Sequence, residues 1–348
     1  MGDLEDVISR KYLLIDTWDV RHQHLLIIGF SILMFAIYFA FMWILCSLTP
    51  SITAALLLLG SQIGLGLPAT RAFYDFGVST RGMLKFYDAG VLGTDMQTED
   101  LRIATGDISL LFERFEFLIR KYDSGALDDL NDLAWFVIVI WAVISSAGIF
   151  TTIGGIPMCM FGSFILIITC IVSYISGYRT IQGFSFEEDL NHLEYYISRS
   201  INKIIKTLPD ETGIVILQVT KRRRRTILID IIVEFQLANN SIIEYHLGLS
   251  TQRKERFILF LPSTAVDTTY SNIKKLLTTK HPSWTVEQIT TQSGRILRII
   301  NSQGRFCICD HSTFVINPEA VEQHTQPASA TLKDIVLILK NAVDMKNE

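Results

Sequence analysis

The sequence has few charged residues for its length. Of its 348 residues, 19% are Asp, Glu, Lys or Arg, whereas about 25% is usual in soluble domains. The mean hydropathy of +0.33 is correspondingly high, and the apolar excess is concentrated in the first half of the chain. This shortage of charge argues against a wholly soluble protein and favours a membrane protein. The net charge of −4 does not indicate a nucleic-acid partner.

Cysteines are also few and do not form an obvious set. Cys46, Cys159 and Cys170 lie within apolar stretches, and only Cys307 and Cys309 fall in the more polar second half. Their total of five is odd and their spacing is not that of a disulfide framework. We therefore expect reduced cysteines and a reducing compartment. The charged N-terminal segment has no small-residue cleavage site after the first apolar run, so we expect no cleaved signal peptide.

Motifs that would name a reaction are missing. The sequence has no phosphate-binding glycine loop, nucleophile elbow or His-Glu-x-x-His. The one cluster that resembles metal ligands is Cys307, Cys309 and His311, but structural zinc usually takes four ligands with wider cysteine spacing. We expect no cofactor and no metal centre, and an enzyme is less favoured than a binding protein. An enzymatic site assembled from distant residues, such as Asp230, Glu244 and His246, remains an open alternative.

Long uncharged runs are the strongest positive signal. Four runs contain no Asp, Glu, Lys or Arg: roughly Leu25 to Leu48, Ser51 to Pro68, Leu133 to Ile153 and Ile156 to Tyr178. A helix of about 20 apolar residues crosses a bilayer core about 30 Å thick. The runs predict an all-α membrane region of four transmembrane helices, arranged as two hairpins. In the shorter second run, Gly60 and Gly64 have the spacing that lets helices pack closely, within one chain or between subunits.

The positive charges predict the orientation of these helices. Lys and Arg occur before the first run, between the second and third runs, and after the fourth, but not in the short connections around Pro50 and Pro157. Under the positive-inside rule, both termini are cytoplasmic and the protein is a multi-pass protein of the cell membrane. No ionisable side chain lies inside the runs, which argues against a proton- or sodium-coupled carrier.

These signals divide the chain into six parts. We predict a cytosolic N-terminal segment (1–24), the first hairpin (25–68), a cytosolic or interfacial helical segment (69–132), the second hairpin (133–178), an amphipathic connecting helix (179–210) and a cytosolic α+β domain (211–348). Within these parts, apolar residues at helical spacing predict amphipathic helices from Asp100 to Tyr122 and from Phe186 to Leu208. Glycine and aromatic residues between positions 69 and 93 predict a segment lying against the inner leaflet.

The α+β domain is predicted from an apolar pattern of period two. Thr226 to Leu237 alternates, with Asp230, Glu234 and Gln236 on the face opposite the isoleucines, as in a half-buried antiparallel strand. Further strands are predicted near 213–220, 242–250, 256–261, 284–291, 295–302 and 304–309, and helices near 264–280 and 331–345. The absence of strand–helix–strand alternation favours a mainly antiparallel sheet.

A basic cluster falls at the turn between the first two of these strands. It consists of Lys221, Arg222, Arg223, Arg224 and Arg225. Five adjacent cations cannot be buried without partners, and such clusters near a cytoplasmic leaflet bind anionic lipid. We predict contact with anionic headgroups; the alternatives are an acidic partner, nucleic acid or a plain solvated turn.

Together these features predict a binding or scaffold protein. The helices would fix the chain in the lipid bilayer, and the α+β domain would serve as a binding module or complex subunit, with a protein partner or a second copy of the chain and no specific nucleic acid. The alternative is an oligomeric channel or pore-forming effector gated by the cytosolic domain.

Overall fold

The structure is a computed structural model that describes residues 2–49, 51–92, 97–123, 129–148, 155–180, 185–207, 213–237, 241–249, 254–261, 266–291, 294–302 and 332–343. The chain divides into two compact units, and neither is contiguous in sequence. We call Met1–Asp16, Lys85–Arg120 and Phe184–Glu348 the sheet unit. We call Thr17–Leu84 and Lys121–Gly183 the helical unit.

The elements follow one another in this order: α1 (Gly2–Ser9), β1 (Ile15–Asp16), α2 (Trp18–Cys46), α3 (Ile52–Gly82), β2 (Lys85–Phe86), β3 (Thr98–Ala104), α4 (Ile108–Ile119), α5 (Asp129–Gly148), α6 (Gly155–Arg179), α7 (Phe186–Thr207), β4 (Gly213–Arg222), β5 (Arg225–Gln236), β6 (Ile242–His246), β7 (Arg256–Phe260), α8 (Val266–Lys280), β8 (Trp284–Thr291), β9 (Gly294–Asn301) and α9 (332–343). The prediction of an apolar helical region followed by an antiparallel sheet is confirmed.

The helical unit consists of α2, α3, α5 and α6. Within the described residues, three helices are long and apolar enough to cross a membrane: Trp18–Cys46, Ile52–Gly82 and Met160–Arg179. The apolar part of α5, Ala134–Ala147, is shorter. Helix α3 continues through Pro68, although a proline interrupts helical hydrogen bonding. Residues 69–82, predicted to lie along the leaflet, are therefore its last turns.

Helices α3 and α6 cross where each has a glycine. A Cβ atom on Gly77 would lie 2.3 Å from the Tyr174 carbonyl oxygen, and one on Gly177 would lie 2.1 Å from the Tyr74 carbonyl oxygen. Both distances are far inside van der Waals contact, so only glycine fits on either side. Elsewhere in the helical unit the interior contains apolar side chains, among them the fully buried Met42, Leu58 and Cys170.

The cysteine prediction needs correction at one position. Cys46, in the last turn of α2, is disulfide-bonded. Cys170 is a buried free thiol. The odd number and irregular spacing of the cysteines concealed this bond, because a single disulfide within an apolar region produces no repeating pattern.

The sheet unit contains one seven-stranded antiparallel sheet with the order β3-β4-β5-β6-β7-β9-β8. Strands β4 to β9 and α8 lie close to their predicted positions. Residues 98–104, by contrast, form strand β3 rather than the start of a helix at Asp100. The reason is the alternation of Leu101 and Ile103 with polar residues, which suits a strand paired with β4. The helical spacing begins only at Ile108.

Strand β5 is buried on both faces. Its odd-numbered residues from Ile227 to Phe235 are all buried. The opposite face was predicted to be solvated, but Asp230 is 0% and Glu234 8% exposed. Central strands of a wide sheet have neighbours on both sides, so polar side chains there must find partners within the protein.

Candidate functional site

The basic cluster predicted from the sequence lies at the tip of the β4–β5 hairpin; we call residues 221–225 the basic hairpin. Arg222 pairs with Arg225, which leaves a two-residue loop of Arg223 and Arg224. Arg223 has φ of 57°, as the first loop residue of such tight hairpins requires. A tight loop holds the cations close together at one point instead of spreading them along a strand.

Two of the five cations have partners close by. The Nζ atom of Lys221 lies 3.2 Å from Oε2 of Glu99, and Nη1 of Arg222 donates to the hydroxyl oxygen of Tyr87 at 2.9 Å. Arg223, Arg224 and Arg225 are exposed, and no described residue forms an ion pair with them. The hairpin is thus fixed at its base and presents three guanidinium groups to solvent.

The carboxylate of Glu99 on β3 contacts two cations beside the basic hairpin. Its carboxylate accepts hydrogen bonds from Arg10 at 2.9 and 3.2 Å and also contacts Lys221. The hydrogen bonds from Arg10 and then Lys221 lower the pKa of Glu99 to about 2. The same contact raises the pKa of the Arg10 guanidinium. Glu99 therefore joins the chain just after α1 to strands β3 and β4.

The N-terminal segment runs beside the base of the hairpin. The Thr226 amide donates to the Lys11 carbonyl at 2.9 Å, and the Leu13 amide donates to the Thr226 carbonyl at 2.9 Å. Tyr12 between them is buried, and this burial raises its pKa to about 12. The Lys11 side chain is exposed. Because of these backbone bonds, the basic hairpin is held beside residues that lead directly into α2.

The structure also brings together the three residues named for an enzymatic site. His246 Nε2 lies 2.9 Å from Glu244 Oε2, and His246 Nδ1 lies 3.6 Å from Asp230 Oδ2. Nη2 of Arg256 donates to Nδ1 at 3.0 Å, so the ring proton lies on Nε2 and is donated to Glu244. Asp230 also accepts from the Gly248 amide at 2.9 Å.

The cluster of Asp230, Glu244 and His246 forms a hydrogen-bond network that joins neighbouring strands of the sheet. Asp230 and His246 are 0% and 5% exposed, and their side chains bond to neighbours on β5, β6 and β7. A second buried carboxylate, Glu255, accepts from Tyr245 at 2.6 Å and from Asn301 at 2.9 Å. A substrate would have to displace these bonds to reach either cluster. The arrangement supports strand pairing rather than catalysis.

The remaining predicted sites have different outcomes. A Cβ atom on Gly60 or Gly64 would meet nothing within 4 Å, so in the described structure neither glycine makes a close approach, and a contact between subunits stays a prediction. Cys307, Cys309 and His311 lie outside the described residues. Within the part that is described, no group of three or more His, Cys, Asp or Glu side chains could hold a metal ion.

Comparison with known proteins supplies no relative. The sequence matches no protein-family model, and no curated protein or solved structure is significantly similar to it. The functional argument therefore depends on the geometry of this chain alone.

Sequence reasoning found the basic hairpin but missed what holds it. Glu99, Arg10 and Tyr87 have no motif that marks them as partners, and Tyr87 and Arg222 are 135 residues apart. The one local signal is the alternating pattern around Glu99, which indicates a strand. That pattern was hidden by the helical spacing that follows it.

Proposed function

We propose that this protein is a membrane-anchored binding module, with the helical unit crossing the bilayer four times and the sheet unit in the cytosol. Chain connectivity supports an even number of crossings. The chain leaves the sheet unit after Asp16 and re-enters at Lys85, then leaves after Arg120 and re-enters at Phe184. One folded unit lies on one side of a membrane, so each excursion must cross twice.

This argument includes α5, whose apolar part is short. If α6 crosses the bilayer in the second excursion, α5 must cross it as well. Helix α5 has 20 residues, which extend over about 30 Å at 1.5 Å per residue. Asp129 and Asp132 would lie at the interface, and the uncharged run that begins at Leu133 continues in the sequence to Ile153, which is close to the 20 or so residues that a crossing needs. We therefore assign the crossings to two hairpins, α2–α3 and α5–α6.

The state of Cys46 supports the orientation. It lies at the end of α2 that is remote from the sheet unit in sequence, and it is disulfide-bonded. Disulfides form on the oxidising side of a cell membrane. The Lys- and Arg-rich segments all belong on the other side, and the positive-inside rule makes that side cytoplasmic.

The observation that carries the functional proposal is the pairing of Thr226 with Lys11 and Leu13, at 2.9 Å in both bonds. Leu13 precedes the first residue of α2, Trp18, by only five positions, and five extended residues span at most about 17 Å. The basic hairpin is therefore tethered near the start of a membrane helix. Each cation at an anionic leaflet gains about 1 kcal/mol, so three exposed arginines favour contact with anionic headgroups by a few kcal/mol.

A pore formed by one chain has less support. Met42, Leu58 and Cys170 fill the described interior of the helical unit, so a channel would need several copies. The exposed Gly60 and Gly64 are where α3 would allow a neighbouring helix to approach closely.

The proposal is tested by thermal unfolding of the full chain in nanodiscs. Phosphatidylcholine discs are compared with discs that contain phosphatidylserine as a minor component. A ligand that binds only the native state raises the unfolding temperature. We expect the anionic discs to stabilise the wild-type protein, and the stabilisation to shrink at high salt.

The matched variants change the same charge at two places in the sheet unit. R223S/R224S/R225S removes three cations from the basic hairpin, and K274S/K275S/K280S removes three exposed cations from α8. We expect the hairpin variant to lose at least half of the anionic-lipid stabilisation and the α8 variant to keep it. Equal stabilisation of both variants would overturn the proposal. Stabilisation by an acidic peptide but not by phosphatidylserine would assign the hairpin to a protein partner instead.

A further inference from the structure

The helical unit contains a buried polar cluster that the proposed function does not use. It consists of Gln62 on α3, Trp141 and Ser145 on α5, and the backbone of Gly162 on α6. Gln62 is 5% exposed and Ser145 is fully buried. Amide and indole groups in an apolar interior are costly unless their hydrogen bonds are satisfied.

Two N–H donors of this cluster lie close together. The Ser145 hydroxyl donates to Gln62 Oε1 at 2.5 Å, which fixes the amide so that its Nε2 faces the opposite way. The Trp141 ring is held edge-to-face against Phe161, with centroids 5.2 Å apart. A Cβ atom on Gly162 would lie 2.8 Å from Gln62 Nε2 and 2.9 Å from Trp141 Nε1. The two nitrogens therefore both pack against Gly162 and lie less than 6 Å from each other, close enough for one acceptor atom to bond both.

Neither donor has a protein acceptor. Gln62 Nε2 and Trp141 Nε1 are buried and have no hydrogen-bond partner among the described residues. Buried donors are rarely left unsatisfied in proteins, so two neighbouring donors without a protein partner indicate a partner that is not part of the chain. Both side chains line a small cavity of about 10 Å³ together with Tyr38, Ile138 and Leu166, and a void of about 10–15 Å³ holds one water molecule.

We propose that this cavity is a binding site for a single-atom hydrogen-bond acceptor that joins Gln62 to Trp141. Two acceptors have this chemistry, a water oxygen and a halide ion. The walls of the cavity include no ionised side chain, and a buried anion without a counter-charge is strongly disfavoured. Water therefore suits the site better, and its two protons remain free to bond helix carbonyls.

The readout is the hydrogen bond of the Trp141 indole in the full chain, measured in detergent by ultraviolet resonance Raman spectroscopy. The other four tryptophans (Trp18, Trp43, Trp135 and Trp284) are changed to Phe, so the indole N–H band reports Trp141 alone. We expect the band of a hydrogen-bonded N–H. A band typical of a free N–H in this protein would overturn the proposal.

Filling the cavity provides the matched comparison. G162A places a methyl group within 3 Å of both donors, so the acceptor is displaced and the indole band shifts to the free position. G60A adds the same methyl group where nothing lies within 4 Å and leaves the band unchanged. If G162A does not fold, Q62L removes one of the two donors and should alter the band without filling the cavity. A band unaffected by the folded cavity variant contradicts the site.

Halide addition distinguishes the two acceptors. Bromide and iodide quench tryptophan emission on contact. Saturable quenching of Trp141 that disappears in G162A would identify a halide site, whereas quenching with no saturation, together with a bonded N–H, identifies water. Quenching that persists in G162A with an unchanged Raman band would count against any acceptor in this cavity.

Discussion

At the scale of single residues, Glu99 connects three separate parts of the sheet unit. Its carboxylate holds Arg10, which follows α1, and Lys221 at the end of β4, while its backbone belongs to β3. The side chain is 42% exposed, so solvent screens these ion pairs and their worth is modest at high salt. Its effect is most visible in how stability depends on pH.

We expect Glu99 to contribute to acid sensitivity. Its pKa is about 2 in the folded chain and has an ordinary value of 4.5 when unfolded. As the pH falls, the unfolded state takes up the proton first, so the stabilisation is complete above about pH 4.5 and is lost towards about pH 2. E99Q lacks this contribution at every pH. Unfolding of the full chain by denaturant should therefore differ between wild type and E99Q at pH 6 and converge near pH 2.

Glu287 offers a control for this experiment. It forms a similar exposed ion pair, with Arg298 at 2.6 Å on the opposite edge of the sheet, but it connects only neighbouring strands. A wild-type-minus-E99Q difference that stayed constant from pH 6 to pH 2 would show that the effect comes from packing and not from the charge of Glu99.

The placement of charges could be predicted from the sequence only where it is local. Five adjacent cations were expected to be solvated or to contact anions. Arg223, Arg224 and Arg225 are indeed exposed to solvent. The partners of Lys221 and Arg222 could not be predicted, since Glu99 and Tyr87 come from a different segment of the chain. Asp230 and Glu234 were placed on a solvated face because alternation shows which side a residue faces and not what covers that side.

At the scale of elements, the glycines of α3 differ in what they contact. Gly60 and Gly64 carry the spacing that marks helix packing in sequence, but both are open within this chain. Gly77, which has no such signature, meets the backbone of α6 at Gly177. A spacing motif indicates that a helix can be approached closely. Where the approach occurs depends on the crossing point, which is set by the whole helical unit.

Alanine substitutions should show which of these glycines are needed for close helix packing. G77A or G177A places a methyl group about 2 Å from backbone atoms that cannot rotate away, and overpacking of this kind costs about 1–3 kcal/mol or more. We expect either variant to lower the unfolding temperature of the full chain in detergent by several degrees.

G60A and G64A are the matched controls on the same helix. Alanine is favoured over glycine in a helix by about 1 kcal/mol, so both controls should be neutral or slightly stabilising. A large loss of stability in G60A or G64A, with a change in oligomer mass, would instead place a subunit interface on that face of α3.

At the scale of the whole molecule, the main difference from the linear prediction is that the sheet unit is discontinuous. Strand β3 and helix α4, from the segment between the two helical hairpins, belong to the same unit as residues after Phe184. The pattern of strands after Gly213 was predictable because each is local and bounded by turns. The pairing of β3 with β4 was not, because an edge strand's partner can come from any exposed strand in the chain.

That discontinuity and the disulfide of Cys46 together predict one labelling pattern. In sealed vesicles with the extracellular face outward, an impermeant maleimide should not label the wild-type protein, because Cys46 is bonded, Cys170 is buried, and Cys307 and Cys309 belong to the sheet unit, which we place on the inside. C46S frees its partner thiol, which we expect to be labelled from outside. R223C, at the tip of the basic hairpin and in a C307S/C309S background, should be labelled only after the vesicles are opened. The thiol freed in C46S and the thiol introduced in R223C would then be labelled from opposite faces of the membrane. Labelling of R223C from outside would reverse the topology and remove the basis for lipid contact, whereas an unlabelled C46S would remove the support that Cys46 gives to the orientation.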